Sequence, residues 1–196
     1  MQPSTDSVFI FPLNTVLFPG GVLPLKIFEQ RYIEMTKVCL RDSVPFGVCL
    51  IKEGREVGTP AVPQQIGCLA RIAEWEMPQL GVFQLSVVGT ERFCLVESTV
   101  GKYGLISATI EKLPVEPDAT PVDELCAQVL KAIMDKVGAE HFPAPHRLDD
   151  AAWVSYRLSE VLPLNLDTRQ EILQLPDPEA RQARLRQILS EQGAAG

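Results

Sequence analysis

Side chains able to do chemistry are few in this chain. His141 and His146 are the only imidazoles, held in an HFPAPH run whose two prolines stiffen it. A zinc ion there would need a third ligand, with Glu140 or Asp149 nearest, and two solvated loop histidines are the simpler reading. Cys39, Cys49, Cys68, Cys94 and Cys126 are odd in number, show no CxxC spacing and sit among apolar neighbours. Thiols in such runs behave as small hydrophobes, so buried, reduced cysteine is expected rather than a disulfide framework or a metal site. A cysteine–histidine nucleophile would need one of them beside His141 and in a polar setting. Gly101-Lys102 lacks the loop glycine five residues upstream that a phosphate-cradling loop requires. Arg181, Arg184 and Arg186, flanked by Glu179 and Glu191, read as the solvated face of a helix. No catalytic residue, metal or cofactor is therefore expected.

One stretch stands apart. Trp75-Glu76-Met77-Pro78-Gln79-Leu80-Gly81 falls between two strand-like runs, where a turn at the surface is ordinarily polar. Trp75, Met77, Pro78 and Leu80 at such a tip mark either a contact surface for another chain or a patch covered by the C-terminal helices.

The elements that would carry these residues follow from punctuation and period. Pro12, Pro19, Pro24 and the Gly20-Gly21 pair cut residues 8–27 into pieces too short for helix. Phe28, Tyr32, Met35 and Cys39 then recur at helical spacing opposite Gln30, Glu34, Lys37 and Arg41, predicting a helix from Phe28 with Phe28 and Tyr32 on one face. Phe46–Lys52 is apolar on both faces and predicts a central strand. Ile66–Trp75, Val82–Val88, Arg92–Val96 and Leu105–Leu113 predict further strands, with Glu76–Gly81 as one turn and Gly89-Thr90 as a break. Leu113–Asp118 is a proline-rich acidic linker, and four helices follow it. Thr120, Asp149 or Asp150, Asp167 with Gln170, and Asp177-Pro178 are the expected helix starts. Val122, Leu125, Val129, Ile133 and Val137 form the expected stripe of the first, with Gly138 as its terminator. The division is a β-rich lobe over 1–113, a linker over 114–118 and a helical lobe over 119–196.

Composition bounds the rest. The chain has 196 residues, 46% hydrophobic and 22% charged, as expected of a folded globular protein. No apolar run approaches the ~20 residues that span a bilayer, and the first residues lack a basic segment followed by an apolar core. A cytoplasmic protein without a membrane partner is expected. The net charge of −7 is concentrated after residue 113, where eight Lys and Arg face fourteen Asp and Glu. Nucleic-acid binders draw most of their affinity from basic surface, so no nucleic-acid partner is expected.

The motifs then supply a resemblance. Phe11-Pro12-Leu13, Leu17-Phe18-Pro19-Gly20 and Leu25-Lys26-Ile27-Phe28-Glu29-Gln30-Arg31-Tyr32 occur in the order seen in the opening signature of the Lon-protease N-terminal domain family. Val57-Gly58-Thr59, then Gly89 with Arg92-Phe93, continue the match, and Arg169–Leu173 with Arg181–Leu185 resemble its closing helices more loosely. The resemblance implies an α+β fold, a PUA-like β pseudo-barrel lobe holding one amphipathic helix, followed by about four helices. It implies a non-catalytic module that binds unfolded or exposed apolar polypeptide segments, as an adaptor serving a separate protease or as a holding factor. No glycine-flanked serine of the family's peptidase and no ATPase loop is found in this sequence, so neither proteolysis nor ATP hydrolysis is expected. An RNA-binding module is the alternative implied by the barrel type. Glu29 and Arg31 are expected to fix the docking of the helix beside Phe28 and Tyr32. The remaining signature positions, Phe11, Pro12, Leu17, Phe18, Pro19, Gly20, Gly89, Arg92 and Phe93, are expected to be structural. The oligomeric state is not legible.

Overall fold

The structure, a computed structural model, describes residues 5–116 and 120–193. The chain forms two compact units, Met1–Pro114 and Val115–Gly196. Residues 117–119, at the end of the expected linker, lie outside the described part.

The first unit is built from β1 (Thr5–Leu13), β2 (Val22–Ile27), α1 (Gln30–Asp42), β3 (Phe46–Glu53), β4 (Val62–Pro63), β5 (Ile66–Gln79), β6 (Val82–Val100) and β7 (Ile106–Lys112). Strand order β1-β7-β6-β5-β3, with a parallel β1–β3 pairing, closes a five-strand ring; β4 is added to β3 and β2 to β6. Closure satisfies the backbone ladder without leaving ring edges. It also makes the period-2 alternation separate two cores. Ile10, Cys49, Leu69, Phe93, Ile106, Ala108 and Ile110 come from all five ring strands and fill the interior. Their sequence neighbours Phe11, Val48, Cys68 and Ala70 point outward into a second cluster with Tyr32, Met35 and Cys39 of α1. Hence β3 is apolar on both faces, as its sequence predicts.

Glycine sets the size of the ring. A Cβ on Gly47 would stand 2.7 Å from both Ile10 Cδ1 and Phe93 Cζ, and one on Gly67 would stand 2.6 Å from the Val48 carbonyl oxygen. Both positions leave the space that the fully buried Phe93 ring occupies, a burial that contributes on the order of 2–3 kcal/mol.

Two local expectations are corrected in this unit. The helix begins at Gln30, and Phe28, 54% exposed, precedes it while Tyr32 is buried; the two do not share a face. Glu29 adopts extended backbone at the N-cap and its carbonyl accepts from the Tyr32 and Ile33 amides, so helical geometry starts after it. The second correction concerns the long hairpin. Glu76–Gln79 continue β5, leaving Leu80-Gly81 as the turn, and β6 runs unbroken through Gly89. Gly89 is no break because its backbone is paired: its carbonyl accepts from Gly20 N–H at 2.8 Å and its N–H donates to Gly21 at 2.9 Å. A Cβ at Gly89 would stand 2.3 Å from the Phe18 carbonyl oxygen; close backbone approach is what requires glycine here.

The second unit contains α2 (Glu124–Val137), α3 (Ala151–Val161), α4 (Leu166–Gln174) and α5 (Pro178–Gly193). Asp150 and Asp177 cap α3 and α5, accepting from the Trp153 and Ala180 amides. Two expected caps are displaced. Asp123, not Thr120, caps α2 by accepting from Cys126 N–H at 3.0 Å, and Asn165, not Asp167, caps α4 by accepting from Thr168 N–H at 2.8 Å. The α2 stripe is also rotated by one residue. Cys126, Leu130 and Met134 are buried, whereas Leu125 and Val137 are 39% and 49% exposed. Gly138 terminates α2 as expected, at φ 101°.

Candidate polypeptide-binding surface

β5 and β6 form a hairpin that continues past the ring. Only Cys68, Leu69 and Ala70 of β5 pair with β3, while pairing with β6 runs on to Gln79–Val82. On the other side of β6, β2 pairs from Val22–Val88 to Ile27–Phe83. The result is a three-stranded arm, β2-β6-β5. Alternation splits it as it does the ring: Phe83, Leu85 and Val87 are buried with Ile27, while Gln84 and Lys26 face solvent.

The apolar tip residues are displayed at the end of this arm. Leu80 is 96% exposed, Trp75 53% and Met77 43%; Pro78 is also exposed. The Trp75 ring lies 5.9 Å from that of Phe83 and inclined at 48°, so the core backs one side of the indole and leaves the other bare. An open trough of about 460 Å³ crosses the arm here, walled by Pro24, Lys26, Glu74, Trp75, Gln84 and Ser86. Glu74 and Glu76 stand opposite Ser86 and Gln84, on the face of the arm away from the indole, and share it with Lys26.

Phe28 belongs with this display, although its place in an aromatic motif suggested core. β2 register sets Ile27 opposite Phe83, which brings Phe28 to the end of the sheet where the Leu80-Gly81 turn lies.

The other signature residues assemble the scaffold. Phe11 and Tyr32 stack with centroids 3.9 Å apart, and the Arg31 guanidinium lies 4.6 Å from the centroid of the same tyrosine. Arg31, 3% exposed, pairs with Glu29 at 3.0 Å and donates to the Glu56 carbonyl at 3.2 Å. Burial drives the Tyr32 phenol up to about 12, outweighing the opposing pull of Arg31. Pro12, Leu17, Phe18, Arg92 and Phe93 are buried, and Pro19 with Gly20 forms the turn that meets Gly89.

Elsewhere the reactive groups are dispersed. His141 is exposed with Glu140 at 3.9 Å, and His146 contacts the Phe142 carbonyl at 3.4 Å. Among the described residues no three His, Cys, Asp or Glu side chains are grouped to hold a metal. Burial raises the Cys39 thiol to about 11 and the Cys126 thiol to about 12, and drives Cys49 upward as well, leaving these thiols protonated and unreactive. The arginine trio is not a uniform solvated face. Arg181 is fully buried, its guanidinium 4.2 Å from the Tyr156 ring centroid and paired with Glu116. Arg184 pairs with Glu171 at 2.8 Å and Arg186 with Asp123 at 3.3 Å. Among the described residues no helix is long and apolar enough to cross a membrane.

Comparison with known proteins accounts for this arrangement. Residues 7–191 match the family model of the ATP-dependent protease La (LON) substrate-binding domain. The chain is 27% identical over 194 residues to a Lon protease of Anaeromyxobacter dehalogenans, and 27% over 183 residues to one of Paraburkholderia phytofirmans. Those matches take in 92% and 88% of this chain but 22% of each relative, so it spans about a fifth of their length. Among solved structures, a Lon N-terminal domain protein from Xanthomonas campestris superposes with a TM-score of 0.76 at 34% identity, covering 94% of this chain and 98% of that one. The N-terminal domain of a Mycobacterium avium complex Lon protease shares the fold, with a TM-score of 0.69 at 18% identity over 92% and 96% of the two chains. With nearly all of the ring, the arm and the helical unit inside the matched span, the chain belongs to the LON substrate-binding domain family.

Proposed function

We propose that this chain is a non-catalytic recognition domain that takes exposed apolar segments of other polypeptides on the β2-β6-β5 arm, as an adaptor for a separate protease or as a holding factor. The observation that carries this reading is the exposure of Trp75, Met77 and Leu80 together at the end of one hairpin, in a chain of a substrate-binding family. Large apolar side chains held out on a rigid strand pair lose little freedom when a partner covers them. A thioether adapts to partners of different shape.

The test is binding to an array of apolar peptides, read by tryptophan fluorescence in a Trp153→Phe background and by titration. Met77→Ser with Leu80→Ser should weaken binding roughly ten-fold, the loss of about 1.4 kcal/mol, and leave the unfolding midpoint unchanged. Equal binding by the double variant would remove this surface from consideration.

A further inference from the structure

A second pocket lies in the β unit between the start of α1 and the turn that precedes β7. It has a volume of about 510 Å³ and is lined by Arg31, Gln30, Glu34, Lys102, Tyr103 and Ser107, among others. We propose that it binds an oxyanion, a carboxylate or a phosphate, between the Arg31 guanidinium and the Lys102 ammonium.

Arg31 carries the argument. It is 97% buried, yet its hydrogen bonding is incomplete. Nη2 is engaged by Glu29 and the Glu56 carbonyl and Nε is enclosed without a partner among the described residues, which leaves Nη1 as the donor that can meet a ligand. Nη1 is directed at the turn, 3.5 Å from where a Cβ on Gly104 would stand. A guanidinium N–H makes a charge-assisted hydrogen bond to an oxyanion, and here the side chain is already fixed by Glu29, Glu56 and the Tyr32 ring. Little ordering remains to oppose binding.

The rest of the wall agrees in charge. Glu34, the carboxylate in the pocket, is engaged by Gln30 at 2.9 Å and by Lys37 at 3.0 Å. Lys102 has no ion-pair partner among the described residues; its ammonium lies 4.7 Å from the centroid of the Tyr103 ring. The pocket therefore retains an uncompensated positive charge. It also lies against the first turn of α1, whose N-cap residue Glu29 makes no side-chain cap and spends its carboxylate on Arg31, so the partial positive charge of the helix end is offset only in part.

The turn is shaped for the purpose at some cost. Tyr103 holds φ 59° and Gly104 φ 81°; left-handed backbone is unfavourable for a tyrosine. That conformation places a half-exposed aromatic ring and Lys102 on the rim. An oxyanion attached to a flat apolar body would use both.

The experiment is an NMR titration of the full chain with three probes: inorganic phosphate, N-acetylphenylalanine, and N-acetylphenylalanine amide, which lacks the anion. Saturable shifts at Gln30, Arg31 and Lys102–Leu105 with either anion, absent with the amide, are expected. The tighter anion identifies the source as a carboxylate or a phosphate. Lys102→Gln should weaken binding roughly five-fold, the loss of one exposed charge contact worth about 1 kcal/mol, and added salt should weaken it further. Arg31→Lys, which keeps the charge but loses the Nη1 donor at the turn, should weaken it as well; if that variant does not fold, Lys102→Gln decides alone. Met77→Ser with Leu80→Ser should leave these shifts unchanged, so failure here is separable from failure of the hairpin surface. Equal binding of acid and amide, no saturable shift up to about 20 mM, or indifference to Lys102→Gln would each overturn the site.

Discussion

The ring and the helical unit hide different things. Inside the ring the buried groups are aliphatic side chains, Cys49 and Phe93, with glycines trimmed to admit the ring of Phe93. The helical unit instead buries Arg157, Arg181, Ser155, Ser159, Gln170 and Gln182 among its apolar residues. In the ring, hydrogen bonding is discharged by the strand ladder, so side chains need only fill space. Helices satisfy their own backbones and leave their mutual orientation to side chains. Here Arg181 donates to Ser155 at 3.1 Å and reaches Glu116, while Gln182 accepts from Asp123 N–H at 2.7 Å and donates to the Pro121 carbonyl at 3.0 Å. Polar groups of this kind specify one packing but are costly when a partner is missing.

That contrast can be broken most sharply at Arg181. Arg181→Ala should destabilise the helical unit by about 3–5 kcal/mol, because Glu116 loses its buried partner. The two tryptophans make this readable: Trp153 reports on the helical unit and Trp75 on the β unit. Denaturant unfolding in a Trp75→Phe background should show the loss in the Trp153 signal.

A smaller effect is expected at Gly47. Gly47→Ala should cost about 2 kcal/mol through overpacking, seen in the Trp75 transition. Adding Phe93→Leu should recover part of it, since the clash is with side-chain atoms. A simple sum of the two losses would mean that the ring is not limited by this fit.

The remaining effect is a pH dependence confined to the helical unit. Burial pushes the Glu160 carboxyl from the usual 4.5 up to about 7, against the pull of Arg157 and Arg169. The unfolded chain then releases this proton at lower pH than the folded one. Its contribution to stability is full below pH 4.5 and lost as the pH rises to about 7. The Trp153 unfolding midpoint should fall across that window, and Glu160→Gln should flatten the slope.

The same contrast marks what the sequence could reveal. A continuous apolar run made β3 legible because both of its faces are buried by independent neighbours. Gly89 read as a break because its partner, the Gly20-Gly21 turn, lies almost seventy residues away, and no local pattern records such a pairing. Cap positions slipped from Thr120 to Asp123 and from Asp167 to Asn165. All of these residues are suitable caps, and tertiary docking chooses among them. Arg181 was illegible since a buried arginine and its solvated neighbours look alike in a run of charge. For the candidate surface, Trp75, Met77 and Leu80 stood out by composition against a turn. Phe28 did not, because helical spacing to Tyr32 offered a competing explanation.

The pairing of Gly20 and Gly21 with Gly89 has a mechanical consequence. Along one side of β6 the neighbour changes from β2, up to Val88, to β7, from Phe93. The Phe18–Gly21 turn occupies the gap, and Leu113 N–H closes its far end on the Arg92 carbonyl. The turn is thus a splice between two sheets that share a single continuous strand. Loosening it would leave the five-membered hoop intact while letting the limb that bears Trp75 swing on one hinge.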